Sequence, residues 1–112
     1  MVYIRFLLDN NQTCNNDRGI FSRTRFKYID ISDWDVSSVT NMTCMFYRCE
    51  KLKSVGDISN WNVSNVTDMG YMFAWCKSFN QDISNWNVSN VRKHLSMFDY
   101  CPIKEEYKPK FK

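Results

Sequence analysis

Five cysteines and a single histidine are the side chains of this 112-residue sequence that could bind a metal, form disulfides or act as nucleophiles. Cys49, Cys76 and Cys101 follow one another at steps of 27 and 25 residues, far from the close pairing of a zinc knuckle. An odd column of three cannot pair fully into disulfides, so these thiols read as small buried hydrophobes. Cys14 and Cys44 fall outside the column, and Cys44, beside Met45, is expected to be partly exposed. His94 with Cys101 supplies two ligands, which does not complete a zinc site. Ser96 and Asp99 lie near His94 in sequence without any sign of an oriented relay. Asp57 and Asp82 recur as turn residues rather than as a hydrolytic carboxylate pair, and Gly19, Gly56 and Gly70 cannot build a phosphate-cradling loop. The expectation is a non-enzymatic chain with no catalytic residue, no metal and no cofactor.

What spaces the cysteines is an internal repeat. Asp30-Ile31-Ser32-Asp33-Trp34-Asp35-Val36-Ser37 returns as Asp57-Ile58-Ser59-Asn60-Trp61-Asn62-Val63-Ser64 and as Asp82-Ile83-Ser84-Asn85-Trp86-Asn87-Val88-Ser89. Periods of this length signal solenoids or arrays. The copies continue in step through Val39/Val66/Val91, Met42/Met69/His94, Phe46/Phe73/Phe98 and Cys49/Cys76/Cys101. Residues 30–56, 57–81 and 82–103 are the three expected units. Residues 1–29 read as an N-terminal cap or degenerate unit, with Ile20, Phe21, Phe26, Tyr28 and Ile29 as its apolar material. Residues 104–112 form a C-terminal cap or tail, in which Tyr107 and Phe111 either fold back over the last unit or serve as a docking anchor.

Within the second unit, Val66, Met69, Met72/Phe73 and Cys76 recur every three or four residues, the stripe of a short helix. Asn65 with Asp68, or Ser64, would cap it. Trp61 and Val63 alternate as in a very short strand. The fold class expected is α/β: a short solenoid of strand-turn-helix units. Stacked units would align Ile31/Ile58/Ile83, Trp34/Trp61/Trp86, Val36/Val63/Val88, Phe46/Phe73/Phe98 and Cys49/Cys76/Cys101 as core ladders.

Phe79-Asn80-Gln81-Asp82-Ile83-Ser84-Asn85-Trp86-Asn87-Val88-Ser89-Asn90-Val91, preceded by Met69, Met72-Phe73 and Cys76, resembles the BspA-like surface-protein repeat. That repeat, also called the mycoplasma-lipoprotein type, is grouped with leucine-rich repeats. The resemblance covers residues 30–103 and implies a right-handed, leucine-rich-repeat-like solenoid with roles in adhesion or protein interaction. It also implies a family spread over mycoplasmas, other bacteria, some protists and giant DNA viruses.

The charge balance narrows the partners. A net charge of +3 is spread thinly, and residues 31–103 hold six basic and seven acidic side chains. Without a Lys/Arg stripe, nucleic acid is not an expected partner. No stretch approaches the apolar length of a membrane span, and the opening Met1–Leu8 run is too short for a secretory signal, so an intracellular or virion-associated setting is expected. The Asn-x-Ser/Thr triplets at Asn11, Asn41, Asn62, Asn65 and Asn87 follow from the repeat composition. Two surfaces are candidates for a protein partner, self-association or a larger assembly. One is the outward polar strip Asp33/Asn60/Asn85, Asp35/Asn62/Asn87 and Ser37/Ser64/Ser89. The other is an aromatic patch around Tyr47, Arg48, Trp75 and Tyr100, since aromatics with arginine anchor interfaces. The expected function is a protein-interaction or structural repeat module, with a host-protein- or glycan-binding adhesin as the alternative.

Overall fold

The computed structural model describes residues 20–111, and the readings placed on Met1–Leu8, Asn11 and Cys14 lie outside them. Among the described residues the one helical element is a 3-10 turn, η1, Glu105–Tyr107. There is no named strand, and pairing of strand type is limited to the isolated parallel bridges Tyr28 with Ser54, Asn41 with Asp68, and Asp68 with Lys93. The expected α/β solenoid of strand-turn-helix units, right-handed and leucine-rich-repeat-like, is therefore corrected: the chain is almost entirely coil and turn.

The backbone between Met69 and Cys76 shows why no helix forms. Tyr71 (φ 55) and Trp75 (φ 63) are left-handed, as are Cys44 and Arg48 before them and Ser96 and Tyr100 after. A left-handed residue every fourth position cannot continue an α-helix. Donation then alternates. The N–H groups of Met72, Ala74 and Cys76 turn back three residues to the carbonyls of Met69, Tyr71 and Phe73. Those of Met69, Tyr71, Phe73 and Trp75 leave the segment and reach the carbonyls of Lys93, Leu95, Met97 and Asp99 at 2.7–2.9 Å. Met42, Cys44, Phe46 and Arg48 donate in the same way to Asp68, Gly70, Met72 and Ala74. Phe21 and Arg23 donate to Met45 and Tyr47. Layers of turns are thus bonded face to face: these alternate N–H rows all point to the following layer, while Thr67, Arg92 and Lys93 donate back to Thr40 and Thr67 of the layer before.

The expected strand at Trp61–Val63 is a pair of turns, closed by the N–H of Trp61 on the Ile58 carbonyl and that of Val66 on Val63. Asp68 does not cap a helix; its Oδ1 accepts the N–H of Gly70. The aspartates and asparagines close turns of their own throughout. Oδ1 of Asp30, Asp57 and Asp82 takes both the N–H and the hydroxyl of Ser32, Ser59 and Ser84. Asp35 and Asn62 do the same for Ser37 and Ser64, and Asn87 accepts the N–H of Ser89. These are Asx turns, which hold a bend without regular structure. Between layers, Asn65 and Asn90 donate from Nδ2 to the carbonyls of Ser37 and Ser64.

The core lies between the layers. Ile31, Ile58, Ile83, Val36, Val63, Val88, Trp61 and Trp86 are buried, while Trp34 is partly buried. Trp61 stacks on Trp86 at 6.1 Å, and their indole N–H groups donate to the carbonyls of Ile31 and Ile58. Phe21, Phe46, Phe73 and Phe98 form a parallel stack with centroids 5.1–5.8 Å apart, and Phe79 adds to it 4.3 Å from Phe73. Of the apolar material expected in the N-terminal segment, Phe21 enters this stack, whereas Phe26 and Tyr28 are 67% and 65% exposed. At the other end Tyr107 and Phe111 pack on the core, and the Tyr107 carbonyl accepts the N–H of Ile83.

Phe73 touches four other aromatic rings, so Phe73→Ala is expected to destabilise the fold by about 3–5 kcal/mol in urea denaturation. The serine hydroxyl and then the serine N–H hold the carboxyls of Asp30, Asp35, Asp57 and Asp82 below the usual carboxylate range. A lowered folded-state value means the unfolded chain binds more protons. The stability these turns contribute is therefore complete above about pH 4 and is lost as pH falls through the lower folded values. Urea midpoints measured from pH 7 down to pH 2 are expected to fall in that window. Replacing the four aspartates by Asn, which already serves at Asn62 and Asn87, is expected to flatten the fall.

Candidate functional site

The cysteine column is a structural device. Cys49, Cys76 and Cys101 are free thiols, the first two buried. Their Sγ atoms donate to carbonyls of neighbouring layers: Cys49 to Phe21 and Cys76 to Phe46 at 2.9 Å, Cys101 to Phe79 at 3.6 Å. The neighbouring Cys49 and then burial push the Cys76 thiol up, the same contact with Cys76 pulls Cys49 down, and burial raises Cys101. A raised thiol is a poor nucleophile, which describes Cys76 and Cys101, while Cys49 is sealed by burial. Cys44, expected to be partly exposed, is fully buried and disulfide-bonded. Its place beside Met45 did not reveal this burial.

His94 is exposed and stacks on Phe111 with 3.9 Å between centroids. Among the described residues, no three His, Cys, Asp or Glu side chains converge as metal ligands. Nor is any helix among them long and apolar enough to cross a membrane.

The polar strip faces outward, but in its middle row Asp35, Asn62 and Asn87 each commit Oδ1 to the serine two residues ahead. The aromatic patch, by contrast, comes together. Left-handed backbone at Arg48, Trp75 and Tyr100 sends these three side chains out from successive layers at equivalent places. Trp75 and Tyr100 stack at 4.3 Å, and the Arg48 guanidinium lies 5.0 Å from the Trp75 ring and 5.6 Å from that of Tyr47. Arg48 Nε donates to the Tyr47 hydroxyl, and Lys77 Nζ sits 5.4 Å from the Trp75 ring. Cation–π contacts of this kind hold the guanidinium against the two rings.

This column runs into a cleft that sequence reasoning missed. Arg23, Arg25, Arg48 and Lys51 line a space of about 450 Å³ together with Thr24 and Glu50. Glu50, the one acidic side chain lining it among the described residues, pairs with Lys77 at 3.4 Å. Arg23 and Arg25 come from the segment read as a cap, and Arg48 and Lys51 from the first repeated unit. Backbone bonds from Phe21 and Arg23 to Met45 and Tyr47, with Ser22 Oγ donating to Cys44 and Cys49 Sγ to Phe21, bring the two stretches together, and no spacing rule in the sequence signals them.

A layered coil with a turn-closing Asx framework and a cation-lined outer face is the class of protein that the geometry defines. The chain belongs to the family described as Mycoplasma protein of unknown function, DUF285, whose model matches residues 15–106. Comparison with curated proteins and with solved structures gives no match. The BspA-like resemblance is corrected accordingly. The matched family carries no assigned function, and the structure has no repeating strand-turn-helix unit. The roles tied to such a unit fall with it, whether as a protein-interaction or structural repeat module, a virion component, or a host- or glycan-binding adhesin.

Because Cys101 is partly open while Cys49 and Cys76 are sealed, a maleimide reagent is expected to label Cys101 first in the native chain. Cys49 and Cys76 are expected to react only after denaturant is added, as read by mass spectrometry of peptides.

Proposed function

We propose that this chain acts without catalysis, by holding a ligand rich in carboxylate or phosphate oxygens on the face formed by Arg48, Trp75 and Tyr100 and the cleft beside them. The observation that carries this reading is the gathering of Arg23, Arg25, Arg48 and Lys51 around one cleft of about 450 Å³. Guanidinium groups present a planar fork of donors that matches an oxyanion bidentately, and Lys adds a mobile point charge. The stacked Trp75 and Tyr100 give a stiff apolar wall alongside, and Tyr100 is 68% exposed, leaving its ring open to a flat group of the ligand. Exposed cation clusters draw such oxyanions by long-range steering.

Titration of the whole chain with a hexaglutamate peptide and, separately, with inorganic phosphate tests the reading by calorimetry at low salt. Binding to at least one probe is expected, weakening with added salt. The double variant Arg25→Glu, Lys51→Glu is expected to lower the affinity by about tenfold or more, a difference near 1.4 kcal/mol. Equal affinity for the variant, or no binding of either probe, overturns it.

A further inference from the structure

The last layer of the structure has no layer beyond it on one side. In the two layers before it, the N–H groups at alternate positions all find carbonyls in the next layer: Met42, Cys44, Phe46 and Arg48 in one, Met69, Tyr71, Phe73 and Trp75 in the other. The equivalent groups of the last layer are the N–H of His94, Ser96, Phe98 and Tyr100. Its carbonyls at Lys93, Leu95, Met97 and Asp99 are already taken by the layer before. Its turns repeat the inner ones, with Met97, Asp99 and Cys101 donating back to His94, Ser96 and Phe98, and with Ser96 (φ 54) and Tyr100 (φ 56) left-handed. The four donors therefore point away from the stack, and among the described residues none has an acceptor. Leu95 joins them. At its place in the inner copies, Thr43 and Gly70 donate to Asn41 and Asp68, but Lys93 offers no side-chain acceptor.

The tail continues this layer and, among the described residues, supplies its donor row with no acceptor. The Tyr107 carbonyl takes the N–H of Ile83, as the Val55 carbonyl takes that of Ile31, and Lys104 N–H donates to Asn80. Beyond them the tail lifts over the donor row and walls a cleft of about 570 Å³, within the ordinary size of a binding site. His94, Ser96 and Phe98 line its floor, and Lys108, Pro109 and Phe111 its far wall. Phe111 stacks on His94, and Lys108 Nζ lies 5.4 Å from the Phe98 ring, so the tail touches the two ends of this stretch of the row. Leu95, 68% exposed, stands at its side.

We propose that this edge pairs with a short extended segment of another polypeptide, which presents alternate carbonyl oxygens to His94, Ser96, Phe98 and Tyr100. The inner layers show the required geometry, since each already receives such a row from its neighbour. A row made only of donors cannot pair with the same row of a second copy, because no acceptor faces either set. The occupant must bring carbonyls on one side, as an extended chain does. This site is separate from the guanidinium face, and the two stand or fall independently.

Amide hydrogen exchange on the ¹⁵N-labelled full chain provides the test, with a blocked synthetic peptide of sequence 92–99 as the probe, since that stretch supplies carbonyls to the layer before. In the free chain, the amides of His94, Ser96, Phe98 and Tyr100 are expected to exchange fast and those of Met69, Tyr71, Phe73 and Trp75 slowly. Saturating peptide is expected to slow the first group about tenfold or more and leave the second unchanged. The Arg25→Glu, Lys51→Glu variant is expected to show the same slowing. No slowing at the edge, protection confined to another face, or protection that rises with chain concentration in the absence of peptide overturns the proposal, the last because it would make a second copy the occupant.

Discussion

Every buried backbone N–H must have an acceptor, and in this chain it is found in the next layer rather than along a helix or a strand. That one constraint organises the rest. Alternate residues donate back three positions to close turns, and those between donate outward to bind layers. Left-handed backbone at six non-glycine residues of the three layers is what makes the alternation geometrically possible. Each such residue costs about 1–2 kcal/mol relative to the right-handed region. The cost is offset because each turn frees a donor for a bond to a neighbour and drives side chains into a continuous stack of rings.

The rings show how coil can be as well packed as regular structure. Phe21, Phe46, Phe73 and Phe98 lie nearly parallel, and Trp61 covers Trp86 at 11°. Burial of one such side chain is worth about 1.5–3 kcal/mol, so the aromatic columns outweigh the individual turns they join. The polar turn residues serve this packing. An Asp or Asn that closes on its own Ser two residues ahead fixes the bend between one buried residue and the next, which keeps Ile58, Trp61 and Val63 inside while Asn60 and Asn62 stay out. The same layering sets the outer chemistry, since Arg48, Trp75 and Tyr100 project from three successive layers into one column.

Much of the interior was legible. The spacing of Ile31, Ile58 and Ile83, of the valines, and of the phenylalanines marks residues that are buried or packed together in the structure. The turn role of Asp57 and Asp82 was readable from their types. The secondary structure was not. A three-to-four spacing at Val66, Met69, Met72 and Cys76 fits a helix and equally fits turns that bring every third or fourth side chain inward. The signal that separates them is positive φ, and it falls here on Cys, Arg, Tyr, Trp and Ser rather than on the Gly or Asn that would betray it. Tyr47, Arg48, Trp75 and Tyr100 were legible as a group because equivalent places in a repeat neighbour one another. Their extension to Arg23, Arg25 and Lys51 was not, because it depends on backbone bonds between stretches that share no motif.

The sequence by itself determined which side chains are inside, which oxygens close turns, and where the pattern breaks at His94 and Lys93. These are properties of residue type and interval, and hydrophobic burial and local Asx bonding act on little more than that. Only the tertiary structure decided which carbonyl each amide meets. Hydrogen bonds between layers join residues some 25 positions apart, and the direction of their alternate N–H rows, toward the following layer, arises from the handedness of residues whose types do not reveal it. That direction is why the last layer ends in a row of bare donors, and why the column of thiols that opened the sequence is occupied with carbonyls instead of chemistry.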